Sequence, residues 1–224
     1  GSPIITELLF SEMAVEGTTD KFGPAVDLNV LITPDANLNS GDFNRIGWYW
    51  ERHWLGIRLA NTIIDKLPTV STIKDDVKNQ LLGKAYFYRS YHYYRLVNQF
   101  GDVPTSFKEI SSPKLDFQTV KREAILTKIK ADLDFAFKNV PFIGDKGDVN
   151  KASIGHLLTK VNLSLGLYDE AIAIADQVIN TGPYKLVTGR FGVDAGERDK
   201  HRESGESAPR FADRQELLPC PSVA

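Results

Sequence analysis

The chain has 224 residues, which is enough for one large domain or two small ones with a buried core. A hydrophobic content of 42% and a charged content of 25% are average for folded proteins and exclude a disordered or collagen-like chain. Lys and Arg number 27 against 29 Asp and Glu, a net charge of -2, so we expect no nucleic acid partner. The single cysteine, Cys220, excludes a disulfide within this chain and a cysteine-rich zinc site.

The N-terminal segment, residues 1–42, is predicted to be irregular. Residues 4–14 fit one helix or one strand. Gly17, Pro24 and Pro34 then precede a polar run over residues 35–42, and this composition is typical of a long loop.

From residue 43 the apolar side chains recur every three or four positions, the period of an amphipathic helix. The first predicted helix covers about 43–67, and the second covers about 72–100 with Ser71 as its N-cap. The third is predicted to begin after Asp116, with Val120 on its apolar face, and to end at Pro141.

The last two predicted helices cover about 151–165 and about 168–181. Gly166 lies between them as a natural C-terminal cap residue, and the second ends at Gly182. Because the turn is so short, the two helices must fold back on one another. The pattern as a whole predicts an all-α fold made of antiparallel helix pairs.

Aromatic residues occupy every side of the second helix over residues 86–94. This is expected of a helix that is packed between two others. A strand is a poorer interpretation, because the periodic pattern extends beyond strand length in both directions.

Residues 166–172 resemble the tetratricopeptide pattern, in which a glycine makes the turn, a tyrosine packs across the helix pair and alanines lie at the close crossing. The matching segment is Gly166-Leu167-Tyr168-Asp169-Glu170-Ala171-Ile172, followed by Ala175.

A more specific resemblance is to the SusD/RagB family. It rests on residues 83–104, an aromatic helix that ends in Phe100-Gly101-Asp102-Val103-Pro104. Residues 54–68, with the pair Ala60-Asn61, are similar to the preceding helix of that family, and residues 176–186 are similar to the close of its last tetratricopeptide helix. The resemblance covers roughly residues 43–188, in the order and spacing of the family.

The resemblance implies a lipid-anchored glycan- or nutrient-binding protein on the cell surface of Bacteroidetes-type bacteria, at the outer membrane. Members of the family bind oligosaccharides, are not enzymes, use no cofactor and act as a lid on a SusC-like TonB-dependent transporter. Their helices form a scaffold, while ligand contacts come mostly from loops.

The chain departs from the family in three ways. Full-length members are considerably longer, and Gly1-Ser2 stand where the lipid-anchored cysteine is expected. We therefore expect the membrane attachment of the natural protein to lie in a segment that this chain lacks. From about Arg190 the sequence is charged and aperiodic, so residues 189–224 are predicted to be an irregular tail that is truncated or out of frame, after a helical domain over residues 43–188.

Few residues are candidates for catalysis. The sequence has no metal-binding His-Glu-x-x-His motif, nucleophile elbow or phosphate-binding loop. His53 and His92 are interpreted as packing or partly solvated side chains, and the carboxylates of Asp75-Asp76 and Asp132-Leu133-Asp134 as parts of solvent-facing helix surfaces. We expect neither a metal site nor an enzyme.

Sugar binding combines flat aromatic faces with amide or carboxylate groups that bind hydroxyls. The segment before and at the start of the first helix offers this mixture. Trp48 is favoured for ligand contact because it lies off the apolar stripe, whereas Trp50 and Trp54 lie in the stripe and are predicted to be core. The candidate ligand-binding residues are Trp48, Tyr49, Asn37, Asn39 and Asp42.

Two functions remain open from the sequence. One is glycan capture, and the other is a tetratricopeptide-like scaffold for protein interactions that binds no sugar. The turn over residues 100–104 favours the first, because ordinary tetratricopeptide arrays repeat at a fixed period of roughly 34 residues and this chain does not.

Overall fold

The computed structural model describes residues 45–110, 112, 115–144 and 147–184. Within these ranges the chain forms five α-helices and one pair of very short strands, which confirms the predicted all-α fold. In chain order the elements are α1 (Arg45–Lys66), a 3-10 turn (Leu67–Thr69), α2 (Asp75–Phe100), β1 (Val103–Pro104), β2 (Thr119–Val120), α3 (Arg122–Asn139), α4 (Lys151–Ser164) and α5 (Tyr168–Thr181).

Each helix packs against the next one along the chain, from α1 to α5. The helix α2 contacts both α1 and α3, as its aromatic residues on every side predict. A single apolar core runs through this stack and draws side chains from the first four helices. Its largest fully buried members include Ile57, Tyr93, Leu96, Ile129, Leu133 and Leu158.

The bounds of α4 and α5 and the turn between them agree with the prediction, but Tyr168, which the tetratricopeptide pattern packs across the pair, is 64% exposed. The helix α4 begins after Asn150, whose side chain accepts a hydrogen bond from the Ser153 amide at 3.0 Å. Gly166 lies in the three-residue link to α5 with φ of 75°, a conformation that favours glycine. The two helices approach so closely that a Cβ atom on Gly155 would lie 2.5 Å from Val178 Cγ2. The small residue on α4 therefore sets the closeness of this crossing.

Two predicted helix starts were wrong. The helix α2 begins at Asp75 with Lys74 as its N-cap, not after Ser71. The first turn of the helix instead carries Asp75 and Asp76. Their negative charges stabilise the helix because they lie near the positive end of its dipole. The third helix begins at Arg122, because Val120 pairs with Val103 in the antiparallel β1–β2 ladder. Val120, a β-branched residue, therefore lies in a strand, and its helical spacing from the following apolar residues did not predict this.

The chain divides by its internal contacts into Gly1–Gly182 and Pro183–Ala224. All five described helices belong to the first of these units. The predicted irregular segment 1–42 and tail 189–224 lie outside the described residues, so the predicted domain boundaries stay predictions. None of the described helices has the length and apolar character needed to cross a membrane.

Candidate functional site

The predicted ligand residue Trp48 lies in the first turns of α1 and is 38% exposed. Its ring makes an edge-to-face contact with Tyr49 at 5.4 Å and lies 5.6 Å from the guanidinium of Arg52. These neighbours hold the indole at the surface of the helix. An exposed aromatic ring held in this way is suited to stacking against an apolar ligand face.

Tyr49 takes a different position from its neighbour. It is only 4% exposed, and its ring lies 6.1 Å from that of His53. The buried hydroxyl has no hydrogen-bond partner in the part of the chain that is described. The remaining predicted ligand residues, Asn37, Asn39 and Asp42, lie outside the described residues, so the predicted site stays a prediction.

An aromatic cleft lies beside the other face of α1. We use this name for the cavity of about 200 Å³ that is lined by Trp50, Trp54, Pro104 and Phe117. The two indoles are 5.8 Å apart and inclined at 56°. They were predicted to be core, and they do pack against it, but both are only half-buried and also form the wall of this cleft.

The aromatic cleft is supported from behind by further aromatic contacts. Trp50 meets Phe100 edge-to-face at 5.1 Å, and Trp54 meets Tyr93 edge-to-face at 6.1 Å. Both partners lie on α2. The indole N–H of Trp54 is buried and makes no hydrogen bond within the described ranges.

The turn over residues 100–104, on which the family resemblance rests, contributes Pro104 to the lining of the aromatic cleft. Gly101 ends α2 with φ of 71°, and its amide donates to the Val97 carbonyl at 3.2 Å. Asp102 then accepts hydrogen bonds from the Arg122 amide at 3.0 Å and from the Lys121 ammonium at 2.8 Å. The Lys121 hydrogen bond lowers the pKa of the Asp102 carboxyl. These contacts place β1, and with it Pro104, at the edge of the cleft.

A buried ionic pair joins α2 to α3. Arg89 Nη2 lies 2.6 Å from Asp132 Oδ2, and the two side chains are 3% and 4% exposed. The interpretation of Asp132 as part of a solvent face was therefore wrong. The Arg89 Nη1 atom donates to Asn61 Oδ1 and to the Phe107 carbonyl, each at 3.0 Å.

Asn61 fastens the loop that follows β1. Its side-chain amide donates to the Ser106 carbonyl at 2.8 Å and to the Lys108 carbonyl at 3.2 Å. The Tyr93 hydroxyl donates to the Ser106 carbonyl and accepts from the Ser106 amide, both at 2.8 Å. Burial raises the pKa of Tyr93 to about 12, so this hydroxyl stays protonated. Asn61 of the Ala60-Asn61 pair thus holds this loop against α1 by hydrogen bonds.

Two histidines face each other between α1 and α2. The Nδ1 atoms of His53 and His92 are 3.0 Å apart, so one ring donates to the other. Burial, with smaller effects of His92 and Arg95, lowers the pKa of His53 to about 4, and burial lowers the pKa of His92. His53 is buried and His92 is half-buried, which agrees with their interpretation as packing or partly solvated side chains. Their pairing was not predicted, because they are 39 residues apart.

A second cavity, which we call the interhelical groove, lies between α1 and α2. It has a volume of about 230 Å³. Its rim includes the exposed side chains Leu59, Ile63 and Tyr88.

Across the part of the chain that is described, no three His, Cys, Asp or Glu side chains come together as a metal site would require.

Comparison with known proteins identifies the family. Residues 10–153, more than half of the chain, match the SusD-like family that is described as "Starch-binding associating with outer membrane". The chain belongs to the SusD-like family. This confirms the resemblance found in the sequence, and the description is that of binding proteins rather than enzymes.

Relatives within the family extend the match. SusD-like protein P2 of Formosa agariphila is 27% identical over 180 residues, which are 79% of this chain and 34% of that protein. A laminarin-binding SusD-like protein of known structure is 30% identical, with a TM-score of 0.54 over 58% of this chain and 29% of its own. A SusD superfamily protein from Parabacteroides distasonis, 24% identical, has the same fold, with a TM-score of 0.68 over 81% of this chain and 40% of its own. The chain thus spans about a third of the length of the curated relative.

Proposed function

We propose that the chain is the helical part of a cell-surface protein at the outer membrane that captures oligosaccharide. The observation that carries the proposal is the family match over residues 10–153, whose description names starch binding and the outer membrane. Two relatives of known structure support glycan binding by their names, a laminarin-binding SusD-like protein and surface glycan-binding protein A of Bacteroides fluxus.

Trp48 is the ligand contact that we propose within the described helices. It is exposed on α1, and the Tyr49 ring and the Arg52 cation beside it hold its orientation. The preceding polar residues Asn37, Asn39 and Asp42 would supply hydrogen bonds to sugar hydroxyls. Tyr49 would support Trp48 through the edge-to-face contact rather than stack on the sugar, since its own ring is buried.

Affinity electrophoresis in gels that contain starch, laminarin or another polysaccharide tests glycan capture. We expect the chain to be retarded by at least one of these polymers relative to a gel without polysaccharide. Equal mobility in every gel would count against capture by this chain.

We further propose that the protein delivers its captured oligosaccharide to a SusC-like TonB-dependent transporter. The family's association with the outer membrane supports this step. The test is binding of the chain to the transporter that is encoded beside it, reconstituted in lipid nanodiscs. Saturable binding is expected, and a flat response at all concentrations would contradict the delivery step.

A protein-interaction scaffold without sugar binding is the second candidate function. The observation that favours it is the interhelical groove, since Leu59, Ile63 and Tyr88 expose apolar surface around a cavity. A Leu59→Ser, Ile63→Ser variant separates the two candidates. If the protein captures glycans through Trp48, this variant should be retarded by polysaccharide gels as strongly as the wild type. If the interhelical groove is the functional surface, the variant should no longer bind a protein partner that the wild type binds.

A further inference from the structure

We propose that copies of this chain assemble head to tail, with α5 of one copy seated in the interhelical groove between α1 and α2 of the next copy. The two surfaces belong to the last and the first helix of the stack, and they match in shape and in charge. This assembly goes beyond the proposed function, because it requires no glycan.

The outer face of α5 is apolar and exposed. It carries a row of side chains at spacings of four, three and four residues, which we call the α5 stripe: Tyr168, Ile172, Ala175 and Ile179. This spacing places them on one side of the helix and is typical of helices that pack against a partner helix along their length. Ile172 and Ile179 are 60% and 69% exposed, so the other described helices leave this side of α5 uncovered.

The interhelical groove offers a matching shape. Ala60 and Ala85 are among its lining residues, and small side chains at a contact allow a second helix to approach closely. Its rim stands on both sides, since Leu59 and Ile63 lie on α1 and Tyr88 lies on α2. The groove is therefore a concave apolar surface, whereas the α5 stripe lies on the convex surface of a single helix.

Opposite charges flank the two surfaces. The helix α5 contains three acidic residues and no lysine or arginine. Two of the acids, Asp169 and Asp176, are exposed and share the side of the helix that carries Ile172, since they lie three and four positions from it. Beside the groove, Arg52 on α1 and Arg95 on α2 each lie seven positions from a rim residue of the same helix, and so on the groove side.

These charges decide which surfaces meet. Two α5 stripes placed against each other would bring acids close to acids, and two grooves would bring arginines close to arginines. Like charges disfavour both arrangements. Two concave grooves would also leave a gap, while stable interfaces are packed like protein interiors. An α5 stripe in a groove instead joins acids to arginines and a convex surface to a concave one.

The contact continues the packing that the chain already shows. Because α1 packs on α2 and α5 packs on α4, the outer sides of α1 and α5 are the two end faces of the stack. In helical repeat proteins an apolar end face requires a cap. A head-to-tail contact covers one end face of each kind and leaves one of each kind open, so it builds rows or rings.

Sedimentation velocity of the intact chain over about a hundredfold range of protein concentration tests the assembly. Ile172→Glu places a charge in the α5 stripe, and Ile63→Glu places one on the rim of the groove. Both side chains are exposed, so folding should be retained, and circular dichroism checks this. Ile143→Glu makes the same exchange at an exposed isoleucine in the loop between α3 and α4 and is the matched control.

We expect the wild type and the control to form species larger than a dimer as the concentration rises. Ile172→Glu and Ile63→Glu should each remain monomeric when alone. Their equimolar mixture should form a dimer that grows no further, because one variant keeps an intact groove and the other keeps an intact α5 stripe.

A charge reversal tests the choice of partner surface. Asp176→Lys should weaken self-association about tenfold, and a higher salt concentration should weaken the association of the wild type. Association that responds to neither change would contradict the pairing of acids with arginines.

Three other outcomes overturn the inference. A wild type that is monomeric at every concentration would show that copies of this chain do not cover these faces. Assembly of Ile63→Glu as strong as that of the wild type would exclude the groove as the docking surface. If the wild type assembles but the equimolar mixture of the two variants stays monomeric, the α5 stripe and the groove do not meet.

Discussion

Arg89 on α2 directs two of its N–H groups at one oxygen of Asp132 on α3. The Nε and Nη2 atoms lie 2.9 and 2.6 Å from Asp132 Oδ2, and the other carboxylate oxygen accepts from Lys128 at 3.0 Å. The Nη1 atom donates to Asn61 on α1 and to the Phe107 carbonyl. A single buried cation therefore ties together three helices and the loop that follows β1.

Removing one member of this ionic pair should be strongly destabilising. Arg89→Ala leaves the Asp132 carboxylate buried without its main partner, and losses of about 3 to 5 kcal/mol are typical of such changes. We expect Asp132→Ala to cost a similar amount, because it leaves the guanidinium uncompensated. Urea unfolding followed by circular dichroism measures both.

The double variant Arg89→Met, Asp132→Leu is the control for this prediction. Because it removes both charges and refills the space with apolar atoms, its loss should be much smaller than the sum of the losses of Arg89→Met and Asp132→Leu made singly. Strictly additive losses would show that the two side chains do not act as a pair.

Asn61 should hold the loop over residues 105–109. In Asn61→Ala the Ser106 and Lys108 carbonyls and the Arg89 Nη1 lose a partner, and we expect a loss of about 2 kcal/mol. Hydrogen exchange of the loop amides should accelerate as well. The neighbouring Thr62→Val removes only a half-buried contact to Glu109 and serves as control. Unchanged exchange in Asn61→Ala would contradict this role.

The sequence predicted those features that depend on neighbours along the chain. The periodic apolar residues located the helices, and the glycine at 166 located the turn before α5. The sequence failed where distant residues decide the outcome. Asp132 sits among apolar helix positions and looks solvent-facing, but Arg89, 43 positions away, draws it inside. The same limit applies to Val120 in β2, the paired histidines and the aromatic cleft, whose walls come from three separate segments.

Acidification should weaken the α1–α2 contact through the paired histidines. The pKa of His53 is about 4 in the folded chain against 6.5 as its ordinary value, because burial disfavours the charged ring. Between these values the unfolded chain binds a proton that the folded chain does not, so the stability of the fold falls as the pH falls. The stabilising contribution is complete above pH 6.5 and declines by at most about 1.4 kcal/mol per pH unit towards pH 4.

Unfolding free energies from pH 7.5 to 4 measure this effect. In His53→Gln the decline should be shallower than in the wild type, whatever the change in stability at neutral pH. His156→Gln alters an exposed histidine on α4 and should keep the wild-type slope. An unchanged slope in His53→Gln would place the acid sensitivity elsewhere.

Gly101 should resist substitution for a conformational reason alone. A Cβ atom there would meet nothing within 4 Å, but the residue has φ of 71°. With ψ of −124° the residue lies outside the left-handed helical well, in a conformation that alanine rarely adopts, and such a conformation costs about 1 to 3 kcal/mol. Gly144→Ala, which also meets nothing within 4 Å and has no positive φ, should cost less than 0.5 kcal/mol, roughly the range of neutral surface changes. Thermal unfolding of the two variants is the comparison, and equal losses would refute the conformational explanation.

Glycan capture is tested most directly by isothermal titration of the folded chain with oligosaccharides released from the polymer that retards it in gels. We expect saturable binding by the wild type and at least tenfold weaker binding, about 1.4 kcal/mol, by Trp48→Ala. Tyr168→Ala, which truncates an exposed aromatic side chain on α5, is the control and should bind like the wild type. Heats no larger than those of dilution for a wild-type sample with a helical spectrum would contradict glycan capture by this chain.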